Sequence, residues 1–402
     1  MKKRPAAAAR NAAADNSAND LIYLLSCVLN KEKPDAKRCA AMELGKLYRL
    51  SQFHMLTAAA AHALEQVAEL PRPFDQAKKK AIRKIALFDI ERGIILREFD
   101  KEGIRYVPLK GIIMKSLYPQ SYLREMTDND ILCDGEKMHL VNGIMKRLGY
   151  ECDKFGESNH DIYSKPPTLE FEMHRNLFSD RDCPELARYY QQLEGGMLEA
   201  GRMSDEDFYV YLTAHIFNHY RKGGIGLRAL ADIYVFNRRF RERLDREYLE
   251  TELKKLELTD FERSFRTLAQ KTFTAQPLTE NESAELRYLI TSGSGGITDH
   301  NEYHQTEMLL GSDDSTASKR SYLLSRVFIS GENLRESYPF VYRHKALYPA
   351  LLIYRPIKGL LTHPKGILSD YKKVKAFRID DDAAFNYKST PRDKTDKDGK
   401  KS

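Results

Sequence analysis

The pattern of apolar positions divides the chain into a helical region, a short mixed segment and a second helical region. Apolar residues recur at helical spacing from Asp20 onward (Leu21, Leu24, Leu25, Val28), with Asp20 in the N-cap position. Residues 1–19 are rich in alanine and polar residues without periodicity, and the reading there is a disordered tail. Further helices are predicted over 36–68 and 75–100, separated by Leu70-Pro71-Arg72-Pro73. The period changes near residue 103. Gly103 reads as a helix C-cap, Ile104 to Leu109 as a strand, Gly111 to Tyr118 as a short helix and Asp128 to Cys133 as a second strand. An amphipathic helix follows over 135–148 (Met138, Leu140, Val141, Ile144, Met145, Leu148), then three strand candidates near 150–155, 160–164 and 168–174.

Helical pattern returns from Ser204 to about Ile290, and Ser292-Gly293-Ser294-Gly295-Gly296 breaks it. Helices are expected around 318–329 and 348–360, before a charged tail. The fold class is therefore α+β: a small mixed-sheet unit flanked by helical regions at both ends. In domain terms this gives a disordered tail at 1–19, an N-terminal helical region at 20–102 and a core at 103–185. A helical region packing on that core follows at 186–290, then a Gly-rich loop with a C-terminal helical region at 291–382 and a disordered tail at 383–402. There is no internal repeat.

Composition narrows the picture little. Of 402 residues, 42% are hydrophobic and 31% charged, ordinary values for a globular protein with room for two or three cores. No run of about 18 apolar residues exists to cross a membrane. No uninterrupted apolar stretch follows Lys2, Lys3 and Arg4 as a secretory signal requires, so the expected location is cytoplasmic. The five cysteines (Cys27, Cys39, Cys133, Cys152, Cys183) form no CxxC and are expected to be reduced and mostly buried. The net charge of +7 resides mainly in the two tails, so it argues weakly for a nucleic-acid-binding face on the folded body.

The chemistry gathers in Leu109-Lys110-Gly111 and in Arg124-Glu125-Met126-Thr127-Asp128-Asn129-Asp130-Ile131-Leu132. On a strand, residues two apart share a face, which sets the carboxylates of Asp128 and Asp130 side by side. Like charges so placed are costly without a cation between them, and oxygen-only ligands suit Mg²⁺ or Mn²⁺. In Leu169-Glu170-Phe171-Glu172-Met173-His174 the apolar residues alternate to one face and Glu170, Glu172 and His174 to the other, offering a third carboxylate. Acidic partner strands are what two-metal phosphoryl transfer requires. Gly111, opening a helix after a strand, suits backbone contact with a phosphate, and Lys110 and Arg124 supply cationic side chains for it. Taken alone, an Asp-x-Asp is more often a solvated turn built on Asx hydrogen bonds.

These residues resemble the DNA-polymerase-β-type nucleotidyltransferase superfamily, in particular its bacterial branch of uncharacterised nucleotidyltransferases. That branch carries Leu-Lys-Gly after the first strand, Arg-x-Met-x-Asp-x-Asp-(Ile/Leu)-Leu, and a later strand similar to Phe171-Glu172-Met173-His174. The helical segment from His215 to Phe236 and the Tyr338-Pro339 and Leu347-Tyr348-Pro349 region are also similar, so the likeness runs from about residue 20 to 360. It implies transfer of a nucleoside monophosphate from an NTP, ATP by default, with release of pyrophosphate. The implied catalytic and metal-binding residues are Asp128, Asp130 and Glu172; Glu170 takes the place of Glu172 if the strands shift by one pair. Lys110, Gly111 and Arg124 would hold the nucleotide. The acceptor is left open among a small molecule, a protein and a tRNA end. Lys110-Gly111 stands where the wider superfamily carries Gly-Ser or Gly-Gly, and this keeps a second reading open: an inactive nucleotide-binding or interaction protein.

Three other features have ordinary readings. His215 and His219, one helical turn apart, are expected in a partly buried structural role. Arg228 and Asp232 read as an intrahelical i,i+4 ion pair, with Arg228 reaching a nucleotide as the lesser alternative. The basic run Lys78-Lys79-Lys80 through Arg83-Lys84 reads as a solvated helix face, with phosphate or RNA contact the lesser alternative. The aromatic–basic stretch from Tyr342 to Arg355 reads as an amphipathic helix surface, with base stacking the lesser alternative.

Overall fold

The computed structural model describes residues 5–222 and 225–293, with side chains from 16 to 221 and from 225 to 293. The readings for 294–402, including the helices near 318–329 and 348–360 and the C-terminal tail, lie outside the described residues. The described residues from Ala12 onward belong to one compact unit.

The first helix, α1 (Pro5–Asn30), begins well before Asp20 and takes in most of the segment expected to be a disordered tail. Alanine has the highest helix propensity, so an Ala-rich run needs no apolar stripe to extend a helix already anchored downstream. The anchor is as expected, with Leu21, Leu24, Leu25 and Val28 buried. Residues 36–68 break into α2 (Ala36–Ala40), α3 (Leu44–Phe53) and α4 (Thr57–Leu64). The 30-residue α5 (Arg72–Lys101) starts with Pro73 in its first turn, where a missing N–H costs nothing. Its buried residues Phe74, Ala81, Ile85, Phe88, Ile95 and Phe99 recur at three, four and seven, one apolar stripe along the helix.

Four strands follow: β1 (Tyr106–Pro108), β2 (Asn129–Cys133), β3 (His160–Lys165) and β4 (Leu169–His174). Between them lie α6 (Lys110–Met114) and α7 (Met138–Arg147). The strand expected near 150–155 is reduced to a single bridge, Glu151 to Ser164. The sheet is mixed, in the order β1-β2-β4-β3, with β2 parallel to β4 and the other pairs antiparallel. One face carries Ile131, Cys133, Tyr163, Phe171 and Met173, which pack on Ile85, Phe88, Ile95 and Phe99 of α5 and Val141, Ile144 and Met145 of α7. The opposite face is left for polar side chains. All five cysteines are free, four of them buried. Among the described residues no helix is long and apolar enough to cross a membrane.

The remaining helices are α8 (Pro184–Gln191), α9 (Glu194–Ala200), α10 (Asp205–Lys222), α11 (Leu227–Phe240), α12 (Arg246–Lys255), α13 (Thr259–Phe273) and α14 (Glu280–Ser292). Helix α11 is buried along most of its length, with Leu227, Leu230, Ile233 and Phe236 in the core. Phe236 stacks on Tyr209 of α10 with ring centroids 5.1 Å apart.

One buried histidine joins the two helical regions. His54, at the end of α3, accepts the backbone N–H of Leu227 through Nδ1 at 3.2 Å. A Cβ at Gly226 would come within 2.6 Å of that nitrogen and of the Gly293 carbonyl carbon, so this close approach requires glycine. Burial holds the imidazole pKa down to about 3, and the nearby Arg228 adds to the shift. The unfolded chain takes up this proton below about 6.5 and the folded one only near 3, so stability is intact above 6.5 and falls as pH drops toward 3. His54 should account for a loss of about 2 kcal/mol at pH 5 relative to pH 7.5. Urea unfolding of the wild type and His54→Asn at both pH values checks this; an equal loss in the two proteins would refute it.

Candidate active site

The free face of the sheet is where the sequence motifs meet. β2 and β4 pair in a register that sets Asp130 opposite Glu172 and Ile131 opposite Met173. Strand alternation then sends Phe171 and Met173 into the core and Glu170, Glu172 and His174 to the other side. Asp128 does not lie in the ladder as expected. The strand starts at Asn129, and Asp128 stands just before it, its carboxylate accepting the Thr127 hydroxyl at 2.9 Å.

The predicted carboxylates separate into two groups. Asp128, Glu170 and Glu172 each offer an oxygen within 4.8 Å of the other two. Burial and the negative charges of Asp130 and Glu172 push the Asp128 carboxyl up to about 6. Lys84 of α5 borders this group, donating to the Thr127 carbonyl at 3.1 Å. Asp130 is compensated instead. Its Oδ1 lies 2.7 Å from Lys110 Nζ and 3.1 Å from His174 Nε2. Burial alone would raise its pKa, but Lys110 and His174 outweigh burial and hold it well below the usual carboxylate range. His174 also lies 3.4 Å from Glu172, and its two carboxylate contacts raise its pKa against the effect of burial. The ammonium of Lys110, expected to face a phosphate, is therefore directed at Asp130. Its backbone φ of 40° lies in the left-handed region, a strained setting for a lysine at the turn from β1 into α6.

Arg124, also expected at a phosphate, makes a buried bidentate pair with Asp232 of α11. Nε and Nη2 donate to the two carboxylate oxygens at 3.1 and 2.9 Å, and Tyr118 adds a third donor at 2.7 Å. Asp232 is thus the partner of Arg124 and not of Arg228, because the helix turns its carboxylate toward the sheet. Gly111 serves the same pair: a Cβ there would sit 2.5 Å from Arg124 Nη1 and 3.0 Å from Met126 Cε. Glu125 accepts the Ala58 N–H at 2.8 Å and so caps α4, while Met126 packs into the sheet core. Three consecutive side chains pin the segment that presents Asp128.

Helices α10 and α11 form the opposing wall of a cleft of about 390 Å³ lined by residues from both sides. His215 and His219 face this cleft with rings 4.5 Å apart, where a structural role was expected; burial and Lys110 keep His215 well below its ordinary pKa. Arg228 lines it too. Its guanidinium donates to the Glu125 carbonyl at 3.0 Å and makes no direct ion pair among the described residues, with the charges of Asp232 and Asp128 nearby. Of the basic run on α5, Lys79 is exposed and pairs with Asp75, as a solvated face implies, whereas Lys78 is largely covered and pairs with Glu65, and Lys84 reaches the site. His160 went unnoticed in the sequence. His160-Asp161-Ile162-Tyr163-Ser164 mixes polar and apolar residues on both faces, and only the pairing of β3 with β4 sets His160 opposite His174.

A small mixed sheet here presents acidic side chains from adjacent strands to a helix-walled cleft, a setting in which a cation and the phosphates it accompanies can be held. The sequence pattern of the uncharacterised nucleotidyltransferase family matches residues 40–274, more than half of the chain, and the chain belongs to that family. Membership gives a general nucleotidyl-transfer function, with an NTP as substrate. The match ends within the described residues, short of the Leu347-Tyr348-Pro349 region. No curated protein and no solved structure matches the chain.

The Arg124–Asp232 pair generates a direct expectation. Asp232→Ala leaves a buried guanidinium without its counter-charge and should cost about 3–5 kcal/mol of stability. Removing both charges together (Arg124→Met with Asp232→Leu) should recover a large part of that loss. Denaturant unfolding of the single and double variants checks this; additive losses would contradict it.

Proposed function

We propose that the protein transfers a nucleoside monophosphate from an NTP to an acceptor hydroxyl, using a divalent ion held by Asp128, Glu170 and Glu172. The carrying observation is the convergence of three carboxylate oxygens within 4.8 Å on the free face of the sheet. An all-oxygen donor set, with one carboxyl raised by burial and by its neighbours' charge, fits Mg²⁺ or Mn²⁺. Such an ion, when bound, neutralises triphosphate charge and favours loss of pyrophosphate. Asp130, with Lys110 and His174, lies directly beside Glu172 and is the second carboxylate the two-metal reading requires. Arg228, which lines the cleft without a direct ion pair among the described residues, is the cation best placed to hold a phosphate, in the role first expected of Arg124. Lys110 takes part through Asp130, and Gly111 through the space it leaves for Arg124. ATP is the proposed donor, and the acceptor is a small molecule, a protein or a tRNA end.

A second reading, an inactive nucleotide-binding protein, is favoured by one contact: Lys110 already neutralises Asp130 at 2.7 Å. The two readings part in a single assay. With α-³²P-labelled NTP and Mg²⁺, the wild type should label an acceptor in lysate. Asp128→Asn and Glu172→Gln should each slow labelling at least about a hundredfold, since metal stabilisation of developing charge is worth several kcal/mol. Neither variant should lower the melting temperature appreciably, because each relieves carboxylate repulsion. Full metal-dependent labelling by Asp128→Asn overturns the assignment, and NTP binding without any labelling by the wild type supports the inactive reading.

A further inference from the structure

We infer that His160, Glu172 and His174 form a binding site for one transition-metal ion of the zinc class, distinct in donor chemistry from the all-carboxylate group beside it. The three donors are set by sheet register. His160 and His174 are direct cross-strand partners on β3 and β4, and Glu172 precedes His174 by two residues, so all three side chains share the free face. One ligand atom from each lies within 4.8 Å of the other two. Glu172 Oε2 is 3.4 Å from His174 Nε2 and 3.9 Å from His160 Nε2, and the imidazole rings lie 4.9 Å apart, tilted by 30°.

The hydrogen bonds around the two rings point to a cation. His160 Nδ1 lies 3.3 Å from Asn159 Oδ1. An amide oxygen only accepts, so Nδ1 carries the proton and Nε2 presents a lone pair toward the Glu172 carboxylate. A lone pair and a carboxylate oxygen facing each other repel unless a positive ion stands between them. His174 Nε2 also lies 3.1 Å from Asp130, so an ion that takes this nitrogen displaces the proton it shares with Asp130. His174 is only 3% exposed, yet its Nδ1 has no hydrogen-bond partner. Two imidazoles and a carboxylate favour zinc, cobalt or nickel, whereas magnesium prefers oxygen ligands throughout. Glu172 belongs to both groups, so an ion on the histidines adjoins whatever Asp128 and Glu170 hold.

The site is read without nucleotide or turnover, and its failure is therefore distinct from failure of the nucleotidyl-transfer reading. Titration of the full chain with Co²⁺, followed by visible absorption and reversed by Zn²⁺, should show one saturable site with nitrogen ligation. Loss of a group that merely orients a ligand typically weakens metal binding about 10–100-fold, so loss of a direct ligand in H160Q should weaken Co²⁺ at least about a hundredfold. Mn²⁺ binding to the carboxylate group, followed by electron paramagnetic resonance, should be unchanged in H160Q, which also controls for folding. H160D replaces nitrogen by oxygen and should still bind a divalent ion, with its preference for Co²⁺ over Mg²⁺ lost. A wild-type Co²⁺ spectrum and affinity in H160Q overturn the inference, as does a wild type that binds Mn²⁺ but gives no saturable Co²⁺ band.

Discussion

The buried pair between Arg124 and Asp232 is the interaction on which the geometry of the cleft depends. It joins the segment leading into β2 to the middle of α11, and so joins the sheet to the helices facing it. Taking two charges out of water is expensive, and the cost is offset only when the geometry is good and the remaining lone pairs are satisfied. Here the pair is bidentate, Tyr118 adds a third donor to Asp232, and Gly111 leaves the space that the guanidinium occupies. With Glu125 capping α4 and Met126 in the core, little freedom is left to the residues that follow. Asp128 can then stand just outside the ladder and still be held against Glu170 and Glu172.

Charge is distributed unevenly across the free face of the sheet, and the unevenness is informative. Asp130 is matched by Lys110 and His174, whereas Asp128, Glu170 and Glu172 crowd together, with Lys84 at their border and His174 beside Glu172. The matched carboxylate is stable as it stands. A cation would stabilise the crowded group, where burial and then the charges of Asp130 and Glu172 push the Asp128 carboxyl up to about 6. The positive φ of Lys110 belongs to the same arrangement, because the turn from β1 into α6 is what carries the ammonium to Asp130. Strain at such a position persists only where surrounding contacts determine it. Across the cleft Arg228 has no direct carboxylate contact among the described residues, and an anionic ligand with a bound cation would satisfy both walls.

Much of this was legible in the sequence wherever a residue's surroundings are set by its near neighbours. Period-two alternation in Leu169 to His174 assigned the core and polar faces of β4 correctly, and the spacing along α5 located its buried stripe. The acidic strand and its acidic partner are adjacent in the sheet as the motif implied. Besides Asp128 and the strand near 150–155, other assignments went differently. Residues 5–19 continue α1, because alanine propensity sustains a helix without amphipathicity. Arg124 and Lys110 turn to protein carboxylates, and Arg228 does not pair with Asp232 although the spacing allows it.

What the sequence determined by itself is therefore the local order: which segments are helix or strand, which face of each is apolar, and which stretch carries the carboxylates. These follow from backbone periodicity and side-chain hydrophobicity, both properties of short windows. Only the tertiary structure decided the partners. A charged side chain can reach any opposite charge that folding brings near it, and partners 108 residues apart in the chain, such as Arg124 and Asp232, share no local signal. The division of the acidic residues into a neutralised Asp130 and a crowded trio, and the meeting of His160 with His174, depend in the same way on strand register and helix docking. Those are set by the summed burial of distant apolar faces, which no short window contains.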